Sequence, residues 1–281
     1  MSALACQDPA QESRPYRGAM ALERIALISD VHGNLTAYRA VLADIAARGI
    51  TRVINLGDIV GKGPRGAACT AVTRERCEAT VRGNWEVFIA GDGETWSPAQ
   101  QWWRAELPAP ERSWLHSLPG SLDLRLSGRL VRMVHASPVD EFTRVHREHS
   151  DEQFAMMFAP TPFTGTGRAA DVVVYGDIHD PFLRSGREGV LANVGSVGNQ
   201  LDDPTPSYVI LEGDADGGAE APFGIQFVRV PYDVEAEIEA TLALGMPETE
   251  AYILELRTGV YRGDHAALGL SLARPETSRH A

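Results

Sequence analysis

Short apolar runs alternate with helically spaced apolar residues through the first third of the chain. Residues 25–29, apolar except for the last, are typical of a strand buried on both faces, and a helical pattern follows over 35–48. A second apolar run spans 52–56, a second helical segment spans 66–76, and a third short strand spans 79–81. Strand, helix, strand, helix and strand in this order predict a parallel sheet.

The rest of the chain divides into shorter and less regular elements. Two helices rich in tryptophan are predicted at 97–106 and 109–117, and a hairpin at 121–135. The other predicted elements are a helix at 150–158, strands at 171–175, 182–184, 190–194, 208–212 and 226–230, and helices at 233–244 and 250–258. Because no internal repeat or low-complexity linker interrupts this order, we predict one domain with two facing sheets over residues 22–271, between disordered tails at 1–21 and 272–281.

Side chains that commonly ligate metals stand where the apolar strands end. They are Asp30, His32, Asp58, Asn84, His135, Asp177 and His179. Ligands of open α/β sheets bind beyond the carboxyl ends of the strands, so we expect these residues to converge at one rim. Carboxylate, imidazole and amide ligands without a thiolate suit Mn²⁺, Fe or Zn²⁺ better than a structural zinc site. Seven ligands are too many for one ion, so the pattern predicts two ions, about 3.5–4 Å apart, that share a carboxylate.

Each of these residues also has a purely structural interpretation. Asp30-Val31-His32 alone is compatible with a surface turn, and Gly-Asp and Gly-Asn pairs are common in turns. A single buried histidine such as His135 is more often part of a core than a ligand. The functional interpretation therefore depends on the whole series, in which five strand ends each carry a residue of ligand type.

The order of these residues resembles the signature of the calcineurin-like metallophosphoesterase superfamily. The matching segments are Asp30-Val31-His32, Gly57-Asp58, Gly83-Asn84, His135 and Gly176-Asp177-Ile178-His179, and the resemblance runs from about Arg24 to Glu212. Residues 32–35, 56–60 and 193–198 are similar to a bacterial branch of that superfamily. Within this branch, residues 83–86 and 229–234 resemble the diadenosine tetraphosphate hydrolase and phosphodiesterase members.

The resemblance implies a fold, a ligand set and a mechanism. The fold would be of the α/β class, a four-layer α-β-β-α sandwich of two facing mixed sheets. One ion would be held by Asp30, His32, Asp58 and His179, and the other by Asp58, Asn84, His135 and the residue at position 177. A hydroxide bridging two divalent transition-metal ions would attack phosphorus in line, with Asp58, Asn84 and His135 as catalytic residues. Mn²⁺ is the expected metal, with Fe, Zn²⁺ and Ni²⁺ as alternatives.

Two positions depart from the family pattern. Trp85 replaces a histidine that protonates the leaving group, and because indole does not titrate near neutral pH, a general acid typically worth about 10²–10⁴-fold is missing. Leaving groups that are already good anions would then be favoured. Trp85 either packs beneath the site or stacks on a nucleobase. Asp177 replaces a histidine; as a ligand it would shift the second site towards Mn²⁺ or Mg²⁺, and otherwise it turns away and leaves that site weak.

Several residues near these motifs are candidates for binding the substrate. They are Asn34, Lys62, Arg65, Trp85 and His146. Lys62 and Arg65 follow Asp58 in its loop and would hold phosphate, although loop cations are commonly just solvated. Arg82 and His149 are weaker candidates of the same kind, and Trp102-Trp103 fits helix packing.

Composition narrows the class of partner. The net charge of -12 argues against general binding of nucleic acids or anionic membranes, because such proteins need a basic face. No apolar run is long enough to span a membrane, and the first 20 residues lack the apolar region of a signal peptide. Cys6, Cys69 and Cys77 show no zinc or redox spacing, which fits a cytoplasmic protein. The expected partner is a small anionic phosphorylated substrate such as a nucleotide, and oligomerisation stays open.

Two classes of function fit the sequence. The first is a metal-dependent hydrolase of phosphodiester or phosphoanhydride bonds, for example in a dinucleoside polyphosphate. The second is a metal-poor scaffold, because some members of the resembled family keep the fold as an interaction module, notably a subunit of the retromer trafficking coat. The enzyme is favoured, since six of the seven ligand positions have the expected residue type and Asp177 is still able to ligate.

Overall fold

The structure, a computed structural model, describes residues 22–91, 97–165 and 167–272. The tails predicted at residues 1–21 and 272–281 lie outside these ranges except for Leu272, and so does Cys6. Among the described helices, none combines the length and apolar character needed to cross a bilayer.

The strands and helices, numbered in chain order, follow the predicted sequence of elements closely. The strands are β1 (Glu23–Ile28), β2 (Arg52–Asn55), β3 (Ala79–Thr80), β4 (Ser121–Leu126), β5 (Arg129–Val134), β6 (Val172–Tyr175), β7 (Phe182–Ser185), β8 (Val190–Asn193), β9 (Ser207–Gly213) and β10 (Phe223–Arg229). The helices are α1 (Leu35–Ala47), α2 (Gly66–Arg76), α3 (Asn84–Ala90), α4 (Pro98–Glu106), α5 (Ala109–His116), α6 (Asp151–Met156), α7 (Val234–Leu244) and α8 (Thr249–Thr258), and a short 3₁₀ helix spans Arg262–Asp264.

Two mixed sheets of five strands each face one another. The first has the order β10-β9-β1-β2-β3; β1, β2 and β3 are parallel, as predicted, and β9 and β10 complete the sheet in antiparallel pairing. The second has the order β4-β5-β6-β8-β7, in which β5, β6 and β8 are parallel. Except for β3, which is an edge strand, the parallel strands lie inside their sheets, and the carboxyl ends of the parallel strands meet at one rim of the sandwich.

Alternate residues of the strands pack into different layers. Ile25 and Leu27 of β1 belong to the apolar cluster between the sheets, whereas Ala26 and Ile28 pack against the helices outside the first sheet. In β6, Val172 likewise faces the other sheet, whereas Val173 and Tyr175 pack outward against α6. Because successive side chains of a strand point to opposite faces, this division confirms a four-layer α-β-β-α sandwich.

Helix α3 is the main element that the sequence did not predict. Gly83-Asn84 was interpreted as the end of a strand, but a helix of 7 residues begins there, at Asn84. Its first turn is stabilised by Glu86, whose carboxylate accepts a hydrogen bond from the backbone N–H of Gly83 at 2.8 Å. A glutamate at the third position of a helix is a common N-terminal signal. The short length of α3 hid its apolar periodicity.

Candidate metal centre

The predicted ligands converge where the carboxyl ends of the central strands meet. All seven lie within four residues of a strand end, and Asn84, which follows β3, also opens α3. All seven are buried, the most exposed being Asp177 at 6%. Two groups of acidic and histidine side chains each place their ligand atoms within 4.8 Å of one another: Asp30, His32 and His179, and Asp30, Asp58 and His135. The described residues therefore contain two adjoining clusters that could hold a cation.

The first cluster brings two histidines and a carboxylate together. The Nε2 atoms of His32 and His179 lie 3.1 Å apart. Oδ1 of Asp30 is 3.1 Å from Nε2 of His179 and 3.6 Å from Nε2 of His32. This group matches three of the four ligands expected for the first ion.

Asp58 connects the two clusters. Its Oδ2 lies 3.6 Å from Nε2 of His32, and its Oδ1 lies 3.4 Å from Nε2 of His135. Asp30 also belongs to both clusters by distance. Asp58 has one oxygen facing a histidine of each cluster, which makes it, like Asp30, a candidate for connecting them.

The three histidines are oriented with the same nitrogen pointing into the cluster. Nδ1 of His135 lies 2.8 Å from the carbonyl oxygen of Leu56, and Nδ1 of His32 lies 3.3 Å from that of Val60. Nδ1 of His179 contacts the carbonyl oxygen of Asn199. A carbonyl oxygen accepts but does not donate, so each Nδ1 carries a proton when the ring is neutral, and each Nε2 presents a lone pair. This is the usual arrangement of metal-binding histidines.

The residues present fit bound cations. Oδ1 of Asp30 and Nε2 of His135 are buried and have no hydrogen-bond partner among the described residues. The facing Nε2 atoms of His32 and His179 repel each other as lone pairs unless a proton or a metal ion lies between them. Buried polar atoms without partners are rare in proteins and call for a ligand.

The ligands occupy unfavourable backbone conformations. Asp30, His32, Asp58, Asp177 and His179 all have positive φ, between 47° and 65°. For non-glycine residues this left-handed region costs roughly 1–3 kcal/mol each, and such residues gather at functional sites. The strain sets the direction of each side chain where its strand turns away from the sheet.

Two glycines allow the ligand loops to approach each other closely. Gly57 has φ of 99°, and a Cβ there would lie 2.6 Å from the backbone nitrogen of Gly83. Gly33 has φ of 66°, and a Cβ there would lie 2.7 Å from the carbonyl oxygen of Gly63. Any other residue would push these loops apart.

Charged neighbours shift the pKa values of buried residues in this site, against the effect of burial for His135 and Asp30 and with it for His32. Burial lowers the pKa of His135, but the carboxylates around it, Asp58 first, raise it well above its ordinary value. Burial and the Lys62 ammonium lower the pKa of His32 to about 4. Burial raises the pKa of Asp30, but the neighbouring His179 holds it well below its ordinary value.

Glu86 supports the centre from behind, a role that sequence reasoning missed. Its carboxylate accepts hydrogen bonds from the backbone nitrogens of Asp58 and Ile59, each at 2.8 Å, besides that of Gly83. Burial, together with the charge of Asp58, raises the pKa of Glu86 to about 7. Its spacing of three residues from Gly83 at a helix start was the available sequence signal.

Asn199 is a second supporting residue that the sequence did not reveal. Its carbonyl oxygen contacts Nδ1 of His179, and its side-chain Oδ1 accepts from Nζ of Lys62 at 2.9 Å. Its Nδ2 donates to Glu255 of α8 at 3.0 Å. No local pattern indicates these contacts, because Glu255 is 56 residues away in the chain.

Asp177 forms an ion pair at the edge of the second cluster. The guanidinium of Arg144 donates to both of its carboxylate oxygens, each at 2.7 Å, and Nδ2 of Asn84 donates to Oδ1 at 2.9 Å. Oδ1 also lies 3.8 Å from Nε2 of His135. Asp177 is thus adjacent to the second cluster but engaged by Arg144, and its role as a ligand stays a prediction.

A cavity of about 520 Å³ opens beside the clusters and contains three of the five predicted substrate-binding residues. Lys62, Trp85 and His146 line it together with Asn84, Asp177 and His179. The ring of Trp85 packs against Gly61, where a Cβ would lie 2.0 Å from Cε3 of the indole. Packing therefore accounts for one side of the ring, and base stacking by Trp85 stays a prediction.

Asn34 and Arg65 are engaged elsewhere. Asn34 caps α1 by accepting from the backbone nitrogen of Ala37 at 3.0 Å, and it donates to the carbonyl oxygen of Gly198. Arg65 pairs with Glu237 of α7. Neither residue lines the cavity.

The weaker candidates also have local partners. Arg82 pairs with Glu141 at 2.6 Å, and Trp103 is buried at 3% exposure in the helix layer. Nδ1 of His149 lies 2.6 Å from the carbonyl oxygen of His146, and the ring of His149 stacks on Phe154.

Comparisons with known proteins agree with this geometry. A model of the calcineurin-like phosphoesterase superfamily domain matches residues 24–216. An uncharacterized protein of Methanocaldococcus jannaschii is 30% identical over 252 residues, which cover 82% of this chain and 96% of the relative. A metallophosphoesterase from Sphaerobacter thermophilus shares 27% identity with a TM-score of 0.67, covering 85% of this chain and 99% of that one. A hypothetical protein from Pyrococcus horikoshii shares the fold, with a TM-score of 0.68 at 17% identity and the same coverage.

Proposed function

Because this chain belongs to the calcineurin-like phosphoesterase superfamily, we propose that it is a two-metal hydrolase of phosphodiester or phosphoanhydride bonds in a nucleotide, such as a dinucleoside polyphosphate. The observation that carries the proposal is the position of Asp58, whose two oxygens face His32 and His135 at 3.6 and 3.4 Å. A carboxylate in this position is suited to bridging two ions.

The chain's own residues divide between two ion sites. Asp30, His32, Asp58 and His179 would hold one ion, and Asp58, Asn84 and His135 the other, with Asp177 at its edge. Bound divalent ions would polarise the phosphoryl group and lower the pKa of a water molecule. The oxygen and nitrogen ligands suit Mn²⁺, which we propose as the working metal.

Charged side chains in the cavity would bind and orient the phosphate. Lys62 lies 3.4 Å from Nε2 of His179, and Arg144 lines the same cavity with a side chain that is 49% exposed. Both bring positive charge to the open side of the clusters, where an anionic substrate has to approach. This local charge offsets the net charge of -12 of the whole chain.

The preference for an activated leaving group follows from Trp85. This residue occupies the place of a proton donor, and its ring has T-shaped contacts with His32 at 5.7 Å and Trp103 at 5.3 Å. His146 is exposed and lines the cavity, so it is the first candidate for protonating a leaving oxygen. Phosphoanhydrides and nucleotide diesters need such help least, which favours them over simple alkyl monoesters.

A substrate series tests the proposal. The protein, stripped of metal and reloaded with Mn²⁺, is assayed against diadenosine tetraphosphate, bis(p-nitrophenyl) phosphate and glycerol phosphate. We expect metal-dependent cleavage of the first two and cleavage of the alkyl monoester at least about 10²-fold slower. Best activity on the monoester would contradict the proposed substrate class, and no activity on any substrate with Mn²⁺, Fe²⁺, Zn²⁺ or Ni²⁺ would favour the metal-poor scaffold instead.

A further inference from the structure

Three exposed aromatic rings line the cavity away from the metal clusters. Phe88 of α3 is 40% exposed, Phe142 is 46% exposed, and Tyr261 is 52% exposed. Large aromatic side chains gathered in one cavity are unusual on a free surface and mark a binding site. Neither the strand-end ligands nor the phosphate-binding cations account for them.

The first two rings continue a row of aromatic contacts that starts at a metal ligand. His32 contacts Trp85, Trp85 contacts Phe88 with ring centres 6.2 Å apart, and Phe88 contacts Phe142 with ring centres 5.4 Å apart. The row therefore connects the first metal cluster to the outer part of the cavity. A molecule held at the clusters by its phosphate would extend along these rings.

Tyr261 enters the cavity from the segment after α8, beyond the residues that match the family domain. This segment is anchored by Arg262, whose guanidinium pairs with Glu255 at 2.6 Å and whose backbone nitrogen donates to the same carboxylate at 3.0 Å. Glu255 in turn accepts from Asn199 beside His179. One network therefore fixes both Tyr261 and a metal-binding histidine.

We propose that Phe88, Phe142 and Tyr261 form a subsite for a flat aromatic group attached to the phosphate of the substrate. The inference rests on the proposed function and adds the location and chemistry of the second recognition element. A cavity of about 520 Å³ lies within the range of pockets that take whole small ligands, about 300–1,000 Å³, and a phosphate group alone would fill little of it. Aromatic rings recognise such a group by stacking, without regard to its hydrogen-bonding edge.

Charge complementarity points to a phosphate ester as the occupant. Lys62 lies 3.4 Å from Nε2 of His179 and Arg144 pairs with Asp177, so two cavity-lining cations adjoin the clusters, whereas the three aromatic rings supply apolar surface. A ligand that carries both a phosphate and an aromatic ring matches both kinds of lining. The ring would come from a nucleobase or from an aryl ester, and binding measurements distinguish these sources.

The test compares pairs of ligands that differ only in the aromatic group. Dissociation constants of the full-length, Mn²⁺-loaded protein are measured by calorimetry for adenosine monophosphate against ribose 5-phosphate, and for phenyl phosphate against methyl phosphate. We expect adenosine monophosphate to bind about tenfold more tightly than ribose 5-phosphate, as stacking of one base predicts. A preference in the phenyl pair alone would also support the subsite and would identify the aryl group as its occupant.

Matched variants locate the effect. Phe142→Leu keeps an apolar side chain and Tyr261→Ala removes the ring, and both should reduce the preference for the aromatic member, whereas Tyr261→Phe should retain it. Phe227→Ala is the control, because Phe227 on β10 is 37% exposed but does not line the cavity. Melting temperatures of all variants verify that each protein is folded.

Two results would overturn the subsite, and they differ in what they mean for the proposed function. Equal affinities within both pairs would exclude aromatic recognition while leaving phosphate binding and hydrolysis intact. Failure of all four ligands to bind would contradict both the subsite and the proposed function. An aromatic preference that Phe142→Leu and Tyr261→Ala both leave unchanged would place recognition elsewhere and overturn this location.

Discussion

Two groups of buried ionisable side chains differ sharply in how their polar atoms are used. Beneath α7, both oxygens of Glu237 have donors: Oε2 accepts from the backbone nitrogen of Thr36 at 3.3 Å and from Arg65, and Oε1 accepts from the hydroxyl of Tyr252 at 3.5 Å. At the strand ends, Oδ1 of Asp30 and Nε2 of His135 have no such partner. The first group is nearly complete in itself, with only Nε of Arg65 unpaired.

Backbone conformation separates the two groups further. Among the described residues, eight non-glycine residues have positive φ, and six of them are Lys62 and the ligands Asp30, His32, Asp58, Asp177 and His179. None belongs to the group around Glu237. A structural ion pair is built from relaxed backbone, whereas the strand-end cluster combines strain with missing partners. The comparison teaches that the strand-end cluster is organised for a ligand and the Glu237 group for stability.

Removing Asp58, the carboxylate that we propose as the bridge, should have the largest effect on chemistry. Asp58→Ala leaves both ion sites short of a ligand, so we expect the rate of phosphoester cleavage to fall by at least about 10³-fold, since bound ions contribute several kcal/mol to the transition state. The melting temperature of Asp58→Ala should change little, because the substitution also relieves repulsion between Asp58 and the neighbouring carboxylates. Asp216→Ala, an exposed carboxylate in the β9–β10 loop, is the matched control and should retain full activity. Substantial activity in Asp58→Ala would contradict the assignment of the strand-end cluster to catalysis.

Breaking the Glu237 pair should have the opposite profile. Glu237→Ala leaves Arg65 without its carboxylate, and we expect the free energy of unfolding to fall by about 2–3 kcal/mol, less than for a fully buried pair because the Arg65 side chain is 22% exposed. Cleavage per folded molecule should stay near the wild-type rate. Urea denaturation and activity below the transition measure both quantities. A loss of activity without a loss of stability would mean that Arg65 acts on the substrate, as the sequence predicted.

Glu86 lies between the two extremes, because it organises ligands without being one. Glu86→Gln replaces an acceptor oxygen by an amide nitrogen that cannot accept from the backbone of Asp58 or Ile59, so a ligand loop loses a fixed anchor. We expect metal affinity to fall by about 10–100-fold with the fold retained. Titration of the metal-free protein with Mn²⁺ measures the change. An unchanged metal affinity would mean that Glu86 only stabilises the start of α3.

The smallest effect concerns Glu106, a structural carboxylate that accepts from the backbone nitrogens of Gly66 and Ala67 at 2.9 and 3.2 Å. Burial raises its pKa from 4.5 to about 7. The stability that this group contributes is therefore fully present below about pH 4.5 and is lost as pH rises through 7. Between pH 5 and 8, the free energy of unfolding of Glu106→Gln should change by about 1 kcal/mol less than that of the wild type. The difference is small because Glu106 is only half-buried. Parallel profiles for variant and wild type would contradict the shift.

The sequence predicted the frame of the fold and the set of candidate ligands that the fold brings together, because both depend on local patterns. Apolar runs located β1, β2 and β6, and the polar residues after them identified the rim where Asp58 and His135 meet. Helix α3 was not predicted because seven residues are too few to display helical periodicity. Boundaries elsewhere shifted by a few residues.

Tertiary partners could not be predicted, since no local pattern encodes them. The place of Arg65 after Asp58 predicts a phosphate ligand, yet its partner Glu237 is 172 residues away. Arg144 was not linked to Asp177, 33 residues later, although the two form a bidentate pair. Tyr261 had no motif at all and enters the cavity only through the fold.

The number of ions bound per chain tests the central claim most directly. Metal-free protein is dialysed against Mn²⁺ and analysed for metal by mass spectrometry, alongside Asp58→Ala and the control Asp216→Ala. We predict about two ions per chain for wild type and control, and fewer than one for Asp58→Ala, because both proposed sites share this carboxylate. Two ions retained in Asp58→Ala, or no bound metal in the wild type across Mn²⁺, Fe²⁺, Zn²⁺ and Ni²⁺, would contradict a two-metal centre bridged by Asp58.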